Sequence, residues 1–249
     1  MRADVTIVGA GITGLSTTSC LAELRPDLDI VVIEADTVAA GASGSGTGLV
    51  GPRIGPALPA LRRKRGDDIA RASYRWSQAA VEHVVDTIER GAIDCGLTTG
   101  TQLVVAADRR GAKAVLAESI AARALGLDVE VVAARNLPEA ASRYLGGLRY
   151  APAATVDPAG YTRGLATLCE RRGVRIFERS RVERVEPAGR PTLVAGHGRV
   201  VAGRIVLAVN AFTRSLDASS NTIALRVQAG VTCGRSRSSS TANCRPTTA

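Results

Sequence analysis

Three glycines near the start of the chain, Gly9, Gly11 and Gly14 in "VGAGITG", have Gly-x-Gly-x-x-Gly spacing, and twenty residues past the last stands Glu34. Each type has a chemical reason. Gly9 allows a tight bend, Gly11 lets the backbone approach a pyrophosphate with no Cβ in the way, and Gly14 lets a helix pack closely on a strand. Ile12 and Thr13 open that helix, whose unpaired N–H groups and partial positive charge suit phosphate oxygens. Glu34, followed by Ala35, closes "IVVIEA", where its carboxylate can accept both hydroxyls of an adenosine ribose. A glutamate rather than a basic residue disfavours a 2′-phosphate. The implied chemistry is dinucleotide binding.

Such a turn is weak evidence until the elements around it fall into register. Asp4 to Val8 reads as a buried parallel-type strand, Ile12 to Arg25 as a helix stopped by Pro26, and Asp29 to Glu34 as a second buried strand. Together they make a βαβ unit. From Thr37 to Pro59 the chain is rich in Gly, Ser, Ala and Pro without periodicity, which reads as a long loop. An NAD enzyme usually passes from the acid into another helix. Here "EADTVAAGASGSGTGLV" keeps small residues and free N–H groups beside the sheet, as suits a chain wrapping along a longer, two-headed ligand. A flexible linker and an NAD-dependent dehydrogenase are the competing readings, and the second leaves "GASGSGTGLV" unexplained.

Farther on, a helix is expected over about Ser73 to Arg90, a strand over Thr101 to Ala107, an amphipathic helix over Gly111 to Leu125 and a short strand over Val129 to Val132. This middle block reads as part of a second domain inserted in the first. Asp157 is placed to N-cap a helix with Pro158 at its first position. That helix ends near Gly173, and strands follow over Val174 to Phe177, Arg181 to Val185 and "RIVLAVNA", with a hairpin through "GHGR". The fold class expected is α/β, a Rossmann-like domain with a partial inserted α+β substrate domain. Its divisions are 1–90 and 151–217 for the nucleotide domain, 91–150 for the insert, 218–232 for an incomplete return to it, and 233–249 for a tail.

Composition narrows the alternatives. The net charge of +9 is spread among acids, and the seven aromatic residues are too few for a base-stacking platform, so no nucleic-acid partner is expected. "RRKR", Arg62 to Arg65, is followed by Asp67 and Asp68 and reads as a solvated face. Five separated cysteines without a CxxC pair, and only two histidines, suggest neither a metal site nor a disulfide framework. His83 reads as a helix-flank residue. No apolar stretch is long enough to span a membrane. Asp4 and the glycines argue against a signal peptide, and a cytoplasmic protein is expected.

"DVTIVGAGITGLSTTSCLAEL", "VVIEAD", "GASGSGTGLV", "VDPAGYTRGLATLCERRGVRIFERSRVERVE" and "RIVLAVNAFT" resemble the D-amino-acid-oxidase-like superfamily of FAD-dependent oxidoreductases. That superfamily includes glycine, sarcosine and γ-glutamylputrescine oxidases. The resemblance implies FAD, with Gly9, Gly11 and Gly14 on its pyrophosphate and Glu34 on its adenosine ribose. It also implies Ala42 and Ser43 at the phosphate and ribityl region, and Thr47, Gly48 and Leu49 along the flavin ring. Val182 would meet the adenine edge through its backbone, and Asn210 and Ala211 would return near the pyrophosphate. Some relatives tether the flavin to a histidine in the Gly-rich loop; none lies there, which implies non-covalent FAD. The implied activity is oxidation of the C–N bond of a small amine or amino acid by hydride transfer to flavin. No catalytic residue is assigned.

The resemblance stops at Thr232. Beyond it "CGRSRSSSTANCRPTTA" has no Leu, Ile, Val or Phe and no acid. A frame shift near Cys233, a disordered tail and a truncated chain are expected, leaving apolar surface of the inserted domain exposed. A catalytically incomplete FAD-binding remnant is therefore the alternative to an active oxidase. Tyr74, Tyr144, Arg149 and Tyr150 are expected mainly as packing or surface residues of the substrate block.

Overall fold

A computed structural model describes residues 1–53, 55–186, 189–196 and 198–216 of the chain. The expectations for 218–232 and for the tail from 233 lie outside the described residues.

Alternating strands and helices build a six-stranded sheet. At its centre β1 (Arg2–Val8) lies parallel to both β2 (Ile30–Ile33) and β10 (Gly198–Leu207). Further out, β7 (Arg175–Phe177) continues the parallel side. On the other side β9 (Thr192–Ala195) pairs antiparallel with β10, and β8 (Val182–Glu186) pairs antiparallel with β9. The β1 and β2 side chains Ile7, Val31 and Val32 are 0 % exposed. Burial on both faces is what a continuous apolar run predicts. The chain leaves β1 through α1 (Ile12–Leu24) toward β2, while β10 flanks β1 on the other side. The C-terminal end of β1 is thus a topological switch point, where such sheets open a ligand crevice.

Helix α1 packs on α5 (Pro158–Arg171), with Leu15, Cys169, Leu165 and Tyr161 in their shared core. Asp157 caps α5 as expected, accepting hydrogen bonds from the N–H groups of Ala159 and Gly160 at 3.0 Å each. Asp157→Ala should lower the unfolding free energy by about 1 kcal/mol, read as a shifted urea midpoint with an unchanged slope.

A second, four-stranded sheet is built around β6 (Gly147–Thr155), which pairs antiparallel with β3 (Leu49–Val50), β4 (Thr98–Val105) and β5 (Glu130–Val132). Helices α2 (Leu58–Arg65), α3 (Asp67–Gly91) and α4 (Arg109–Ala124) join it. Leu148 and Tyr150 of β6 form a core with Leu58, Tyr74, Ala121 and Leu125. The expected boundary at 150 falls within β6, whose register runs on to Thr155 opposite Leu49 and Thr98. Two further elements stand where a loop was expected over 37–59, β3 and the start of α2. The basic run ends α2, and its Arg62 donates to both oxygens of Asp67 at 2.9 and 2.8 Å. Leu49, Trp76 and Val131 of this layer are 62 %, 78 % and 54 % exposed. A short helix, α6 (Thr213–Leu216), ends the described chain.

Burial pushes the Cys169 thiol from 9.0 up to about 12, and likewise the Tyr150 hydroxyl from 10.0 to about 12. The folded state keeps both protonated where the unfolded chain releases them. Stability should therefore be level in this respect below pH 9 and fall as pH rises toward 12. The slope approaches about 1.4 kcal/mol per pH unit for each group. Urea midpoints at a series of pH values check this; midpoints level to pH 11 would contradict it.

Candidate cofactor site

The glycine turn joins β1 to α1 at the switch point. Gly9 takes φ +104°, a region that side chains rarely adopt. A Cβ there would lie 2.6 Å from the Ala208 carbonyl oxygen at the end of β10. A Cβ on Gly14 would collide with the carbonyl oxygen of Gly9 itself. These two glycines bind the turn to its neighbours. Gly11 faces the crevice instead, and the first atom its Cβ would meet is Ser43 Oγ, 2.8 Å away.

Gly11 is the N-cap of α1 and offers no side-chain cap. Ser43 supplies one from thirty-one residues beyond Ile12, its Oγ accepting from the Ile12 N–H at 2.9 Å. Among the described residues nothing accepts from the N–H groups of Gly11, Thr13 and Gly14. Three donors at a helix N-terminus, next to a glycine with no Cβ, form an anion cradle.

Glu34 leaves the end of β2 beside this cradle. One carboxylate oxygen accepts from the Ala10 N–H at 2.7 Å and the other from the Asp36 N–H at 3.0 Å. A carboxylate has about four acceptor positions, so lone pairs remain for a diol. The strand's backbone is held from the far side as well. Glu34 N–H donates to Phe177 and its carbonyl accepts from Ser180, each at 2.8 Å, and Arg179 N–H donates to Asp36 at 2.7 Å. Val182 lies just beyond, buried, at the start of β8 opposite Ala195.

The chain returns through Ala208, whose N–H donates to Val8 at 2.8 Å. Val209 then lies within reach of Gly9, and Asn210 adopts φ +47° to begin a single turn over Asn210–Phe212 that includes Ala211. The turn, Glu34, Ser43 and 208–210 thus meet at one end of the parallel sheet, with the Val182 segment hydrogen-bonded to it. Ala35 and Ala42 are exposed on the connecting loops.

Thr47, Gly48 and Leu49 form a separate group. Gly48, at φ +71°, accepts from Val156 N–H at 3.0 Å, and a Cβ on it would strike the Val156 carbonyl. Leu49 N–H donates weakly to Thr47 Oγ1 at 3.4 Å, and Leu49 pairs with Thr155 of the second sheet. Loop 37–46 connects the two groups, so the assembled residues suit an extended ligand more than a compact one. Two contacts had no signal in the sequence pattern: the Glu34 bond to Ala10 and the Ser43 cap on α1. Each joins residues more than twenty positions apart. His83 lies exposed on α3, its Nε2 3.7 Å from Cys20 Sγ.

Among the described residues, no group of three or more His, Cys, Asp or Glu could hold a metal ion, and no helix is long and apolar enough to cross a membrane.

A parallel sheet with a switch point, a cradle of free N–H groups and a carboxylate at the end of the adjacent strand define a dinucleotide-binding α/β protein. The particular family follows from comparison. The "FAD dependent oxidoreductase" family model matches residues 4–248, and the chain belongs to that family. It is 28 % identical over 222 residues to the probable oxidoreductase OrdL of Haemophilus influenzae, covering 88 % of this chain and 51 % of that protein. It is also 28 % identical over 211 residues to γ-glutamylputrescine oxidoreductase of Escherichia coli, covering 84 % and 49 % respectively. The chain thus spans about half the length of these curated relatives. Glycine oxidase from Geobacillus kaustophilus shares the fold at a TM-score of 0.69 and 23 % identity, over 87 % of this chain and 58 % of that one. FAD is the cofactor of the family, and the cradle and carboxylate described above fit its pyrophosphate and adenosine ribose.

Proposed function

We propose that this chain binds FAD non-covalently in the switch-point crevice and serves oxidation of the C–N bond of a small amine or amino acid. The observation that carries the cofactor assignment is that the unbonded Gly11, Thr13 and Gly14 N–H groups and the Glu34 carboxylate, itself bonded to Ala10 and Asp36, stand together at one glycine turn. In this reading the three N–H groups and the α1 dipole neutralise the pyrophosphate, and Ser43 exchanges its bond to Ile12 for a phosphate oxygen. Glu34 keeps Ala10 and Asp36 in place while accepting the ribose hydroxyls. Val182 offers its backbone to the adenine edge, and Asn210 and Ala211 close the crevice from the β10 side. Ala35 and Ala42 leave room along it, while Thr47, Gly48 and Leu49 border the flavin ring.

When bound, FAD supplies the two-electron acceptor for hydride from the substrate carbon bearing nitrogen. The relatives' names support the substrate class: one is named for γ-glutamylputrescine and a fold neighbour for glycine. In this reading the residues named above serve the cofactor half of the activity. The test is anaerobic mixing of FAD-loaded protein with a panel of amines and amino acids. Loss of the visible flavin bands with one of them supports the proposal. Bands unchanged by every member, in protein holding one flavin per chain, would reduce the reading to cofactor binding alone.

A further inference from the structure

A cavity of about 270 Å³, open on one side, lies on the helix-covered face of the second sheet, lined by Pro52, Arg53, Gly55 and Pro56 together with residues of α2, α3, α4 and β6. It shares no residue with the cofactor crevice. Its polar wall has unmet bonding capacity. Tyr150, 1 % exposed as a residue, lines this wall. The Tyr74 hydroxyl beside it is buried and unpartnered. Glu118 is 7 % exposed; it accepts from the Leu58 N–H at 3.1 Å, which leaves further acceptor positions on its carboxylate unused. No cationic side chain pairs with it among the described residues. At the exposed side stands Arg53, its guanidinium 5.2 Å from the Tyr150 ring centroid and likewise without an ion pair.

A buried carboxylate without a counter-charge is costly, as is a buried hydroxyl without a partner, here that of Tyr74. A ligand bringing one positive and one negative group would relieve both. We propose that this cavity is a binding site for a small zwitterion, its ammonium directed to Glu118 and the tyrosine hydroxyls and its anionic group to Arg53. The hydroxyls serve as neutral hydrogen-bonding groups, since phenols are protonated at neutral pH and burial only raises both further. Pro52, Pro56 and Leu61 supply the apolar lining for the spacer between the charges. Occupancy would link Arg53 to Tyr74 of α3, Glu118 of α4 and Tyr150 of β6. The inference rests on this layer alone and not on cofactor binding.

Calorimetric titration of the full chain tests it, with glycine, β-alanine and 5-aminopentanoate as zwitterions and pentylamine and pentanoate as single-charge controls. One zwitterion is expected to bind at one site per chain at least tenfold tighter than either control. Arg53→Ala and Glu118→Gln should each weaken that binding roughly tenfold, the loss of one charge-assisted contact. Tyr150→Phe removes only a hydroxyl and should weaken binding while keeping or raising the melting temperature. That variant keeps the test decisive if Glu118→Gln folds poorly. Absence of saturable binding by every zwitterion would overturn the proposal. So would equal binding of pentanoate or pentylamine, or affinity unmoved in Arg53→Ala and Tyr150→Phe. Visible absorption recorded on the same samples separates this outcome from loss of the cofactor site.

Discussion

Gly14→Ala is expected to remove stoichiometric FAD binding and to destabilise the fold by about 2–3 kcal/mol, the cost of forcing atoms into a filled space. The new methyl group would strike the carbonyl oxygen of Gly9, with Ile7 Cγ2 another 3.3 Å from it. Both obstacles belong to the packed junction of β1 and α1, so neither can swing aside like the end of a long side chain. The helix must move away from the strand, carrying the Gly11, Thr13 and Gly14 N–H groups out of alignment. Melting temperature and flavin content after gel filtration measure the two effects together. Gly11→Ala is the useful contrast, because its Cβ meets the Ser43 hydroxyl rather than backbone. It should retain most of the stability while losing affinity. Equal flavin content in Gly14→Ala and the unaltered chain would show that the turn does not set the cradle.

Glu34→Ala is the second large effect, with FAD affinity expected to fall about a hundredfold or more, as for loss of charge-assisted hydrogen bonds in a partly buried site. The carboxylate has two jobs. It holds the N–H groups of Ala10 and Asp36, and it stands at the end of β2 where a ribose diol would lie. Glu34→Gln keeps one carbonyl acceptor in a side chain of nearly the same size. It should preserve stability better than alanine and lose less affinity. Fluorescence titration with FAD and urea denaturation of each variant separate the binding effect from the structural one. Alanine and glutamine variants with unchanged FAD affinity would remove Glu34 from the site.

The first βαβ unit was legible because each level of the sequence agrees. Continuous apolar strands, glycine punctuation and a terminal acid all specify the same geometry, and burial of Ile7, Val31 and Val32 bears this out. The α5 start was legible for a similarly local reason, since Asp157 and Pro158 act within one turn. By contrast β6 had no local signature. "GLRYAPAAT" mixes Gly, Arg, Pro and Ala with little alternation, and the strand is set by its pairing with β3, β4 and β5. For the same reason the second sheet's limits were not readable. Helix α2 was hidden by the Pro-rich run before it, although Pro59 at the start of a helix is well tolerated. In the candidate site, the roles proposed for Gly9, Gly11, Gly14 and Glu34 could be read from their types and spacing. Those proposed for Ser43 and Asn210 could not, and only the resemblance pointed to them. Neither Arg53 nor Glu118 could be singled out, because the cavity they share joins a loop and a helix more than sixty residues apart. Tyr74 and Tyr150 were expected to pack, and they do, but both also line that cavity.

The central claim is that the crevice between the glycine turn and Glu34 holds FAD. It is tested most directly by the visible absorption spectrum of the purified chain after incubation with FAD and gel filtration. A yellow protein with the two-band flavin spectrum at close to one flavin per chain, released intact on denaturation, is the expected result. A colourless but folded protein that retains no flavin would contradict the claim.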